Sequence, residues 1–173
     1  MTLETERLII RPPQEKDTDD YLSFCNSEFV LKYNAMTPRT REQVAASFAG
    51  EEETMLLLEL KSIDRVIGAV CIDDDSLRWE VPSRELSYFI HEDFARKGYM
   101  KEALTAVIRY LFEEEKPDCI AARSFAPNEA SKALLRSLGF HQDGLIPRCV
   151  KGYGGVIFDD TIWSLLREEY AAR

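Results

Sequence analysis

At 173 residues and 45% hydrophobic content, the chain is long enough to bury one real core and too short for two ordinary domains. Its 22 basic and 31 acidic residues leave a formal charge of −9, which works against broad attraction to a phosphate backbone and argues against generic nucleic-acid binding. The longest apolar runs, such as Met55 to Leu58, are far too short to span a bilayer, and the opening MTLETERLIIRPP lacks the basic-then-apolar order of a signal peptide, so a cytoplasmic protein without membrane contact is expected.

Thr5 to Arg11 alternates as a strand and is stopped by Pro12 and Pro13; Asp17 can then cap a helix through Tyr21, Leu22 and Phe24. A second helical piece runs from Thr40 through Val44 and Phe48, and the two read as a helical hairpin laid over one edge of a sheet. Met55 to Lys61 and Arg65 to Ile72, rich in Leu, Val and Ile and parted by Ser62, Ile63 and Asp64, form an antiparallel hairpin. Arg84 to His91 is a fourth strand, with Leu86, Tyr88 and Ile90 on one face and Glu85, Ser87 and Phe89 on the other. From Gly98, the three- and four-residue steps of Met100, Ala103, Leu104, Val107, Ile108, Leu111 and Phe112 make an amphipathic helix that Pro117 ends. Asp118 to Phe125 is the fifth strand. Asn128 to Leu138 is a helix with Ala130, Ala133, Leu134 and Leu138 inward and Gly139 as terminator, and two strands follow, the last over Val156 to Leu166.

A helix crossing between the fourth and fifth strands makes that pair parallel within a largely antiparallel sheet and leaves a cleft at its carboxyl ends. The expected architecture is an α/β (α+β) single domain over residues 1–173, with a mixed, mostly antiparallel twisted sheet of about seven strands and flanking helices. Cys25, Cys71, Cys119 and Cys149 form no CxxC pair, and His91 and His141 have no ligand spacing around them, so free thiols and no metal are expected.

The segment IHEDFARKGYMKEAL sets a strand end, a turn holding Arg96, Lys97 and Gly98, and a helix start in succession. Unpaired amides of a first helical turn favour an anion, a glycine lets a phosphate approach, and the two cations add charge. The bland alternative is a glycine that eases a tight turn beside two solvated cations. The segment has the glycines of neither a Walker loop nor a GxGxxG fingerprint, which removes nucleoside triphosphates and dinucleotides.

RKGYMKEAL followed by NEASKALLRSLGF resembles two motifs of the GNAT acetyltransferases, and the opening TERLIIRP and closing DDTIWSLLREEY resemble their RimJ/RimL-like, ribosomal-protein N-acetyltransferase branch. The resemblance spans nearly the whole chain. It implies a sheet splayed between the fourth and fifth strands, with the pantetheine of acetyl-coenzyme A in the gap beside Phe89, Ile90 and His91. It also implies a pyrophosphate on the amides of Arg96, Lys97, Gly98, Tyr99 and Met100, with Asn128 and Ser131 near the coenzyme. Acetyl transfer would be direct, without an acyl-enzyme, to a primary amine that is a protein N-terminus or a small amine. A monomer or homodimer is expected.

The sequence departs from the family pattern at Ala95, Arg96 and Met100 in the turn, and at Leu135, where many GNAT enzymes carry a tyrosine that protonates the leaving thiolate. These departures keep open an acyl-coenzyme-A-binding sensory or interaction module without turnover. Glu85, in RELSYF against the family's AEIGYW, is the candidate general base, because a protonated amine must lose a proton to attack a thioester; a solvated strand carboxylate paired with Arg84 is the alternative. Glu80 and Glu92 are weaker candidates, and Asp159 matches a frequent acidic residue before the final strand. With Leu135 unable to give a proton, Ser131 is the nearest hydroxyl for the departing thiolate.

Overall fold

The structure is a computed structural model that describes residues 1–50 and 54–172. In chain order it contains strands β1 (Leu3–Glu4) and β2 (Leu8–Arg11), helices α1 (Thr18–Cys25), α2 (Glu28–Leu31) and α3 (Arg41–Ala49), and strands β3 (Met55–Leu60), β4 (Arg65–Asp74) and β5 (Ser83–Ile90). Helix α4 (Tyr99–Tyr110), strand β6 (Cys119–Phe125), helix α5 (Glu129–Ser137), strands β7 (His141–Lys151) and β8 (Ile157–Leu166) and the short α6 (Arg167–Ala171) complete it. The expected fourth and fifth strands are therefore β5 and β6.

The described residues form one sheet of eight strands, ordered β1-β2-β3-β4-β5-β6-β8-β7, rather than about seven. The added strand is β1. Thr5 closes a turn on Leu8, its N–H donating to the Leu8 carbonyl at 2.9 Å and its hydroxyl accepting from the Leu8 N–H at 3.0 Å, so the chain folds back and Leu3 and Glu4 pair with Ile10 and Ile9. The run from Thr5 to Arg11 is thus a turn followed by a strand. Asp17 does not cap α1 with its side chain; its carboxylate grips the Arg11 guanidinium at 2.7 and 2.9 Å, and Arg11 also bonds Glu59. Thr40 does cap, in a reciprocal pair with Gln43.

The period-two alternation of the strands sends side chains to two separate cores. On one face Leu8, Ile10, Leu58, Val70, Leu86 and Ile120 meet the inner stripe that begins at Met100 of α4 and runs on to Leu111, together with Leu135 of α5 and Leu138 just after it. Burying each such Leu or Ile contributes about 1.5–3 kcal/mol. On the other face Leu57, Val66 and Ala69 meet Tyr21, Phe24, Val44 and Phe48, so α1 and α3 lie across the face of the sheet and not along its edge. Helix α4 runs on into a π turn at Leu111–Glu115 and stops at Lys116 in a left-handed conformation just before Pro117. In α5 the buried residue is Leu135, at 1% exposure, whereas Ala130 and Ala133 face outward; Gly139 ends the helix at φ 84°.

The parallel pair β5–β6 is bonded only from Ser83↔Cys119 to Leu86↔Ala122. Beyond that point β5 continues to Ile90, still paired with β4 as far as Gly68↔Ile90, and β6 continues to Phe125, still paired with β8 as far as Phe125↔Asp160. The two strands therefore splay, each held by its outer neighbour.

Candidate active site

Peptide groups in a strand face alternate neighbours. The His91 N–H donates to the Ile67 carbonyl of β4 at 2.8 Å, so the peptide groups of Tyr88 and Ile90 turn toward the gap, where β6 no longer meets them. A cleft of about 480 Å³ passes through the sheet here. Glu85, Ser87 and Phe89 line it from the α1–α3 face of β5, and Tyr88, Asn128 and Ser131 from the α4–α5 face. A recess of about 530 Å³ at the start of β5 does not rival it, since β5 and β6 are bonded there and Arg84 is held by Asp74 and Glu115.

At the end of the gap the chain makes its turn. Arg96 and Gly98 both take positive φ, 60° and 84°, and the first bond within α4 runs from the Glu102 N–H to the Gly98 carbonyl at 3.0 Å. The amides of Tyr99, Met100 and Lys101 precede it and have no acceptor within the helix. Met100, whose bulk sets this turn apart from the family pattern, points its side chain into the core at 7% exposure and leaves only its backbone at the site. Arg96 and Lys97 are exposed beside it. These features suit the pyrophosphate and pantetheine of a coenzyme A. His91 has less to offer: its N–H is bound to β4, its carbonyl accepts from Phe94, and its Nδ1 accepts from the Asp93 N–H at 3.1 Å.

Two residues that sequence reasoning did not single out brace the turn. Arg7 donates to the Lys97 carbonyl at 3.0 Å, meets Glu102 at 2.6 Å and lies 4.3 Å from the Tyr99 ring centre. Burial pushes the Glu102 carboxyl up, but bonds from Thr5 and Arg7 outweigh this and hold it below the ordinary range. Its grip is therefore present above the usual carboxylate pKa and fades as pH falls through the lowered one. Glu102→Ala is expected to weaken coenzyme A binding about fivefold or more, the loss of roughly one hydrogen bond's net value in turn geometry, as read by calorimetry.

Glu85 stands opposite Asp73 across the β4–β5 ladder. Burial is the main cause that lifts its carboxyl above the ordinary value; the Arg123 cation opposes the lift, and Asp75, Asp73 and Asp160 add to it. It is not paired with Arg84, whose guanidinium bonds Asp74 and Glu115 instead. Such a carboxyl is a better proton acceptor than a solvated one. Glu80 and Glu92 are exposed, and neither lines the cleft. Asp159 lies inside β8, where its carboxylate accepts from the Arg148 N–H at 2.8 Å and steadies an irregular part of β7. Its neighbour Asp160 is the one that lines the cleft: 1% exposed, it takes Arg123 at 2.7 Å on Oδ2, while Oδ1 has no hydrogen-bond partner among the described residues.

Asn128 caps α5, its Oδ1 accepting from the Ser131 N–H at 3.2 Å. The Ser131 hydroxyl lies 2.8 Å from the Tyr88 hydroxyl. Leu135, one turn on, is sealed in the core.

Over residues 7–141 the chain matches the acetyltransferase (GNAT) domain family, and it belongs to that family. It is 31% identical to the uncharacterized N-acetyltransferase p20 of Bacillus licheniformis, the match covering 98% of each chain. Its fold is also that of the ribosomal-protein-S5-alanine acetyltransferase of Vibrio fischeri, with a TM-score of 0.86 at 18% identity over 98% of each chain. RimL, a ribosomal L7/L12 α-N-protein acetyltransferase solved with coenzyme A, superposes with a TM-score of 0.83 at 15% identity, covering 98% of this chain and 99% of that one. The protein is an acetyl-coenzyme-A-dependent N-acetyltransferase of the GNAT family.

Proposed function

We propose that the protein acetylates a primary amine, a protein N-terminus or a small amine, in the manner of the RimJ/RimL-like branch, with Glu85 as base and Ser131 as donor to the leaving sulfur. The observation that carries this reading is the cleft through the splayed sheet. Parity along β5 sets Glu85 on one face and the Tyr88–Ser131 pair on the other, so an amine and a departing thiolate are served from opposite sides. The amides of Tyr99, Met100 and Lys101 hold the pyrophosphate, Arg96 and Lys97 screen its charge, and the free peptide groups of Tyr88 and Ile90 take the pantetheine arm. Phe89 closes the wall between Tyr21 and Phe24.

Glu85 takes the proton that the ammonium must lose, and the freed nitrogen attacks the thioester carbonyl. The N–C bond forms, the C–S bond breaks with its electron pair on sulfur, the acylated nitrogen releases its second proton to water, and the Ser131 hydroxyl donates a hydrogen bond to the pair on sulfur. Glu85 returns its proton to solvent, and the thiolate takes one from solvent on release. Ser131→Ala is expected to lower turnover about 10- to 100-fold with little change in coenzyme affinity; a binding defect alone removes it from this step.

The test of the whole reading is thiol release from acetyl-coenzyme A with peptides headed by alanine or serine, spermidine and an aminoglycoside. It is joined by mass spectrometry of a cell extract incubated with labelled acetyl-coenzyme A. Label on a protein N-terminus or on one small amine identifies the acceptor. Coenzyme binding with no acceptor raising thiol release above hydrolysis rejects the proposal.

A further inference from the structure

We infer that Tyr88 is a positioning residue that aims the Ser131 proton at the coenzyme sulfur, the two hydroxyls forming a donor chain from β5 to α5; this rests on the acetyl-transfer reading above.

The direction of the chain follows from what each hydroxyl can do. The two oxygens lie 2.8 Å apart, so one O–H donates to the other. A phenol is by far the stronger acid of the two and the better donor. Burial pushes the Tyr88 phenol up to about 12, so it keeps its proton throughout the neutral range. With Tyr88 donating, Ser131 accepts and must point its own proton elsewhere.

Helical hydroxyls commonly return that proton to a carbonyl one turn back, and the described residues do so four times: Thr18 to Glu15 at 2.7 Å, Ser23 to Asp20 at 2.6 Å, Thr105 to Lys101 at 2.7 Å and Ser137 to Leu134 at 2.8 Å. Ser131 makes no such bond among the described residues. The Asn128 carbonyl one turn back accepts from Lys132, and the Asn128 side chain already accepts from the Ser131 N–H. Among the described residues the Ser131 proton is left with no acceptor, at the lip of the cleft where β5 and β6 have parted. An O–H that is denied an internal acceptor and faced into a cleft is set for an acceptor that arrives with a ligand. Leu135, the next residue on that side of α5, offers only hydrocarbon.

Neither hydroxyl gives up its proton for good. As the C–S bond breaks, sulfur gains the electron pair; Ser131 donates to it, and the bond from Tyr88 polarises Ser131 and strengthens that donation. The same chain must favour thiolate over thiol in bound coenzyme A. This gives a test that needs no acceptor.

The pKa of the coenzyme A thiol bound to the whole protein is followed by thiolate absorbance, with coenzyme A alone as the probe. Tyr88→Phe, which removes one oxygen, is expected to raise it by about one unit, a tenfold smaller thiolate population at a given pH below that pKa. Ser131→Ala is expected to raise it by at least as much, and adding Tyr88→Phe to Ser131→Ala is expected to change nothing further. A fluorinated tyrosine installed at position 88, a stronger donor of the same shape, is expected to lower it; a residue that merely fills space would not respond, and this arm also serves if Tyr88→Phe folds poorly. An unmoved thiol pKa in Tyr88→Phe, or independent effects of the two substitutions, overturns the chain while leaving acetyl transfer standing. Failure of coenzyme A to bind at all overturns the acetyl-transfer reading itself.

Discussion

Gly98→Asp is expected to raise the dissociation constant for coenzyme A at least about 100-fold in a protein that still folds. Position 98 is the residue that caps α4, and an aspartate there sets a carboxylate beside the first-turn amides. Those are the amides proposed to hold the pyrophosphate, so the variant fills its own anion site and adds a negative charge to it. Stability is expected to fall by about 1–2 kcal/mol, the cost of a side chain at φ 84°, because an aspartate gains only a few tenths of a kcal/mol over glycine as a cap. The added Cβ would sit 3.3 Å from an Arg7 nitrogen, close enough to draw Arg7 off the Lys97 carbonyl and loosen the turn as well. Calorimetry with coenzyme A, alongside a melting curve, checks this; unchanged affinity in a folded variant removes the pyrophosphate from the turn.

Glu85→Gln keeps the shape of the side chain and removes its basicity, so turnover is expected to fall about 10²-fold or more with coenzyme affinity nearly constant. The pH profile gives the sharper reading. Because burial and the neighbouring carboxylates lift the Glu85 carboxyl, the base form should be lost, and the rate with it, at a pH above that of an ordinary glutamate as the solution is acidified. That acidic limb should vanish in Glu85→Gln. Equal turnover with the limb intact would move the role to another carboxylate or to water.

The sequence announced this site wherever one short stretch determined it. The alternation in RELSYFIH settled which side chains share a face of β5, and the glycine before the stripe of α4 marked the turn. What it hid depends on contacts between distant segments or on one-residue shifts. Arg7 and Glu102 are 95 positions apart, and nothing local in TERL or KEAL ties them. Asp160 rather than Asp159 faces the cleft because alternation along β8 sets it opposite Trp163 and Leu165, which enter the α4–α5 core, and the adjacent pair DD by itself carries no sign of which residue turns inward. Ala130 and Ala133 were expected inward because small apolar residues fit either face of a helix; the anchoring of Ser131 beside Tyr88 and of Leu135 in the core sets the rotation of α5. Tyr88 itself was legible only as a neighbour of Leu86 and Ile90 on one face of β5, and its hydroxyl partner lies 43 positions away.

The two borders of the sheet have a bearing on how this chain behaves in crowded solution. An edge strand of 11 residues such as β7 offers a long template on which another chain could add a strand and start a growing aggregate. Two breaks in register, Pro147 with no N–H to offer, and Arg148 held at φ 51° interrupt that template, and the opposite border is only the two residues of β1. Strand addition therefore finds no long straight rail at either side, and the open seam a coenzyme needs lies in the interior of the sheet, where a neighbouring chain cannot lie alongside.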